Sequence, residues 1–99
     1  MEEKIREIIN HYGIEAQARQ TMEECAELIK ALNKYLCVLG EKRPIGEQTA
    51  TIMSIVEEIA DVQIMLYQMI EYFQAEKEVV ETIKSKIDRT IERMNKDKE

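Results

Sequence analysis

The chain has no tryptophan, one phenylalanine, one histidine, one proline and three glycines among its 99 residues. So little turn chemistry leaves few places to reverse direction, and no alternating strand pattern competes with the helical spacing of the apolar residues. With His11 as the only imidazole, a zinc site or a histidine-containing di-iron site lacks ligands. The two cysteines, Cys25 and Cys37, fall in one predicted helix, where about 1.5 Å of rise per residue holds them roughly 18 Å apart. That excludes a disulfide between them and leaves free thiols in core positions. Basic residues are also in deficit: a net charge of −6 argues against a protein that tracks a nucleic-acid backbone. No apolar run approaches the ~18 residues of a membrane span, and "MEEKIREIINHYG" is too acidic for a signal peptide, so a cytosolic chain is expected.

What remains is 44% hydrophobic and 34% charged, the composition of a single folded domain spanning 1–99. Its periodicity predicts an all-α, four-helix bundle protomer with a short first helix over about Glu2–His11, stopped at Gly13. A long second helix, about Glu15–Leu39, carries a seam of Ala18, Met22, Cys25, Ile29, Leu32, Leu36 and Leu39. The third, about Gln48–Phe73, repeats the alternation with Ile52, Ile55, Ile59, Val62, Leu66, Met69 and Phe73, and should lie antiparallel to the second. A C-terminal helix carries Val80, Ile83, Ile87, Ile91 and Met94, after a turn that no Gly or Pro marks. Val56, Ile64, Met65 and Ile70 exceed what one short bundle covers, so a homodimer or homotetramer is expected.

Two octets look like copies of one design: "EECAELIK" from Glu23 and "EEIADVQI" from Glu57. At about 100° per residue, Glu24 and Glu27 share one flank of the second helix, and Glu58 and Asp61 the flank of the same sense on the third. Acids on helices are ordinarily solvated and salt-bridged. Here only Glu27 has a lysine, Lys30, within helical reach, and two like-charged pairs on half-buried flanks call for a cation from elsewhere. Four carboxylates with no thiolate or imidazole make an oxygen-only set suited to Mg²⁺, with Mn²⁺ as a substitute.

The pairing of E-E-x-x-E-L in "EECAEL" with E-E-x-x-D-V in "EEIADV" resembles the MazG-like family of all-α nucleoside triphosphate pyrophosphohydrolases. The likeness runs from "HYGIEAQ" to "KSKIDRTIERM", with a longer stretch between the motifs than is usual. It implies that Glu24, Glu27, Glu58 and Asp61 ligate Mg²⁺ and carry catalysis. The reaction implied is hydrolysis of a (deoxy)nucleoside triphosphate to monophosphate and pyrophosphate, as nucleotide-pool house-cleaning. Metal-bridged phosphate oxygens would offset the repulsion expected from an acidic protein.

Lys86, Arg89 and Arg93 share a flank of the last helix and are candidates for binding the phosphates, against the plain account of solvated cations near a helix C-terminus. Gln17 and Gln20, two turns and one turn before Glu24, are candidates for a base or sugar, although exposed glutamines are common. A phosphoribosyl-ATP pyrophosphohydrolase-like enzyme and a non-catalytic, antitoxin-like oligomerisation module are the competing functions. The heptads alone suit that module as well as an enzyme; the unpartnered acids do not.

Overall fold

The computed structural model describes residues 2–98, with α1 at Glu2–Tyr12, α2 at Ile14–Gly40, α3 at Ile45–Phe73 and α4 at Glu76–Asp97. Between α1 and α2 the chain spends one residue, Gly13, at φ 86° with its N–H donated to the Ile9 carbonyl at 2.8 Å. A side chain at that φ would be strained, which is what the glycine is for. Pro44 immediately precedes α3, its fixed φ suiting a helix entrance. The turn into α4, unmarked in the sequence, is made by Gln74 in the left-handed region, with φ 52° and ψ 44°. Its N–H reaches the Glu71 and Ile70 carbonyls, and its side-chain amide donates to the Glu71 carbonyl at 2.7 Å. No helix among the described residues is long and apolar enough to cross a membrane.

Helices α2 and α3 form an antiparallel hairpin, and α1 lies against both, burying Ile5 and Ile9. Arg6 of α1 pairs with Glu71 of α3 at 2.6 Å. The register of the hairpin is set by Gln17, whose amide donates to the Gln68 carbonyl oxygen at 2.7 Å. Counting equally along both helices from that level brings Glu24 beside Asp61, Glu27 beside Glu58, Ala31 beside Ser54 and Lys34 beside Thr51.

The stripe through which α2 and α3 meet is not the expected seam. Thr21, Glu24, Leu28, Ala31, Tyr35 and Val38 of α2 are half-buried, facing Thr51, Ile55, Glu58, Val62, Met65 and Gln68 of α3. The seam of α2 lies one residue further on, rotated by about 100°; that of α3 shares Ile55 and Val62 with the inward stripe and otherwise lies one residue further on. In antiparallel helices that rotation carries both seams to the same face, where Ile29 is 68% and Leu36 64% exposed. The other face of the hairpin carries Glu27 and Asp61, with Glu24 and Glu58 in the stripe between the helices. Met65, expected on the surplus apolar surface, is buried inside the hairpin, whereas Val56 and Ile64 are exposed.

Helix α4 does not fold back along the hairpin. It touches only α3, beside the turn, and Val79 is its one half-buried residue among those described. The buried apolar core is therefore Ile5, Ile9, Val62 and Met65. The radius of gyration is 17.4 Å, against about 13 Å for a compact chain of this length.

Candidate metal centre

Two long helices in register are what bring the acids together, because neither motif alone spans the gap between α2 and α3. Glu24, Glu58 and Asp61 each offer a carboxylate oxygen within 4.8 Å of the other two. Glu24 and Glu58 are half-buried and Asp61 is exposed, so the cluster opens to solvent on one side. Glu27, the fourth expected ligand, stands outside this group on the exposed edge, although near enough for its charge to act on Glu58.

Glu58 is where the chemistry concentrates. Its Oε2 is buried and has no hydrogen-bond donor among the described residues. Burial first, then the charges of Asp61, Glu24, Glu27 and Glu57, hold its carboxyl above the ordinary value of 4.5. A lone pair removed from water without a donor is costly, and the cost is relieved by a proton or by a cation.

The donor set fits a hard divalent ion. Oxygens bound at about 2.1 Å to one octahedral centre lie roughly 3 Å apart when adjacent and about 4.2 Å when opposite. The carboxylate oxygens of Glu24, Glu58 and Asp61, all within 4.8 Å of one another, are near that spacing. Glu24 is already oriented: the Gln20 amide donates to its Oε1 at 2.8 Å, leaving the second oxygen free. Such outer hydrogen bonds fix the angle at which a carboxylate meets its ion.

The glutamines expected to meet a base or sugar are thus engaged within the chain. Gln20 holds Glu24, while Gln17 is buried against Gln68, which is 1% exposed. Gln68 drew no notice in the sequence, yet a glutamine three residues after Met65, inside an apolar stripe, signals a buried partner. Lys86, Arg89 and Arg93 are exposed on α4, which makes no contact with α2, so the protomer does not bring them to the acids.

On the loop side of the acids the hairpin opens into a cleft of about 450 Å³. Its walls include Ala31 and Lys34 of α2 and Ala50, Thr51 and Ser54 of α3, one turn beyond the Glu27 and Glu58 level. No family model, curated protein or solved structure matches the chain.

Proposed function

We propose that the protein is a Mg²⁺-dependent hydrolase of phosphoric anhydrides, splitting a nucleoside triphosphate into monophosphate and pyrophosphate. The observation that carries this reading is the buried, donorless Oε2 of Glu58 inside a three-acid cluster. A salt-bridged surface would supply a cationic side chain there, and none of the ion pairs among the described residues involves Glu24, Glu58 or Asp61. The motif likeness supplies the reaction class; the acids supply the ligands. Mg²⁺, or Mn²⁺ in its place, would bind the phosphate oxygens and acidify a water.

The remaining steps belong to the chain. Glu24, Glu58 and Asp61 would hold the ion from the two helices, and Gln20 keeps Glu24 at its angle. Glu27 borders the cluster at the Glu58 level, where its charge would add to theirs.

The working form is an assembly of copies of this chain. The protomer exposes 8108 Å², about 2,300 Å² more than the ~5,800 Å² expected of a compact protein of this mass. An excess of that size matches an obligate interface, and the apolar seam is where it lies. Because Glu27 and Asp61 lie on the face opposite the seam, pairing through the seam leaves the cluster open on that side. Lys86, Arg89 and Arg93 then act on a triphosphate from a neighbouring copy, since their own α4 stands away from the hairpin.

The test is pyrophosphate release from a panel of nucleoside triphosphates with and without Mg²⁺, alongside Mn²⁺ binding by calorimetry. Wild-type protein should bind and turn over, and Glu58→Gln should do neither while keeping its helical signal. A wild-type protein that binds neither ion, with or without a non-hydrolysable nucleotide, overturns the hydrolase and leaves the helical assembly module.

A further inference from the structure

We propose that the cleft beside the acids holds the nucleoside end of the triphosphate, which makes Ala31, Ala50 and Ser54 its specificity-determining residues. This rests on the hydrolase reading and adds to it where the base and sugar lie. The inner stripe of the hairpin is filled with large side chains on the far side of the acids, where Val62, Met65 and the Gln17–Gln68 pair leave no room. On the loop side, beside the inward stripe, short side chains leave a cleft. Ala31 stands level with Ser54, with Ala50 one turn on, and all three line it.

The space of about 450 Å³ lies within the range of small-ligand sites and exceeds a nucleobase with its sugar. Ala31 follows Glu27 by four residues, or about 6 Å along the helix, a distance one sugar ring covers. A ligand whose phosphates meet the acids has its next group at the mouth of the cleft.

The lining suits a base better than a second anion. Ala31, Val38, Ala50 and the Cys37 thiol present an apolar wall, while Ser54 offers a hydroxyl at the acid end. The charges do not sum to an anion trap, because Arg43 is paired with Glu41 at 2.6 Å and with Glu47 at 3.3 Å. Lys34 enters no ion pair among the described residues. On the cleft's rim, two turns past Glu27, it can reach a sugar hydroxyl or the phosphate nearest the sugar.

Two measurements test this, and both use Mn²⁺ with either inorganic triphosphate or a non-hydrolysable nucleoside triphosphate. In the first, Ala31→Leu fills the cleft. Nucleotide affinity should fall at least tenfold, while affinity for Mn²⁺ and inorganic triphosphate holds. Unchanged nucleotide affinity, or an equal loss for both triphosphates, overturns the cleft assignment.

The second needs no variant, so it decides the matter even if Ala31→Leu fails to fold. Cys37 lines the cleft and is exposed. Its alkylation in wild-type protein, followed by peptide mass spectrometry, should slow at least fivefold with nucleotide and not with inorganic triphosphate. Equal rates overturn the proposal while leaving the metal site standing. Wild-type protein that binds no Mn²⁺ overturns the hydrolase reading itself, and the cleft assignment with it.

Discussion

At the proposed metal site, Glu58 would meet opposite demands with and without the ion. Because its carboxyl is held above 4.5 by burial and by four neighbouring acids, the folded chain keeps a proton that the unfolded chain gives up. Stability from this group is therefore present at low pH and lost as pH rises from 4.5 through the raised value. The metal-free protein should melt higher near pH 5 than at pH 7.5, and Glu58→Gln, which cannot ionise, should flatten that difference by several degrees. With saturating Mn²⁺ the order inverts, since protonated ligands release the ion. Melting curves at the two pH values, with and without Mn²⁺, give all four comparisons. Gln20→Ala should weaken Mn²⁺ affinity by about 10- to 100-fold without unfolding the chain, because it frees Glu24 to rotate; calorimetry reads this directly. The clustering of Glu24, Glu58 and Asp61 was legible in the sequence because charge without a partner at helical spacing is a local property; that Glu27 stands outside it was not. Gln20's role was not, since an exposed-looking glutamine becomes an orienting group only when the acid one turn ahead needs holding.

The α2–α3 hairpin owes its register to one buried polar pair. Replacing Gln68 by Leu leaves the Gln17 amide without a partner among Val62, Met65 and its neighbours, at a cost of about 1–3 kcal/mol. Replacing both glutamines by Leu should recover most of that loss, and denaturant melts of the two variants separate the outcomes. Should the single variant lose nothing, Gln17 does not depend on Gln68. Helix number, lengths and antiparallel order could be read from period and punctuation, because they depend on residues close in sequence. Which stripe faces inward could not. Two stripes offset by one residue share the same heptad spacing, and the choice between Leu28 inside and Ile29 inside depends on what covers the other. The turn at Gln74 was likewise hidden, because a glutamine in the left-handed region carries no glycine to announce it.

At the scale of the whole molecule, the exposed seam and the outlying α4 are what the proposed assembly rests on. Sedimentation at micromolar concentration should show a dimer or larger species, and Leu36→Glu on the seam should shift it toward monomer; a wild-type monomer sinks the assembly. Mn²⁺ at a hundred times its Kd should stabilise the assembly by about 2.7 kcal/mol per site, read as a rise in melting temperature. The small protomer core, Ile5, Ile9, Val62 and Met65, also bears on time. A hairpin closed by so few apolar contacts forms quickly and opens quickly, so in the proposed assembly a lone chain would reach its lasting structure only by meeting another before it opens. Refolding from denaturant should then carry a slow phase whose rate grows in proportion to chain concentration. In a dilute cell, newly made chains would wait on collisions, and the abundance of the protein would set how soon each copy becomes useful.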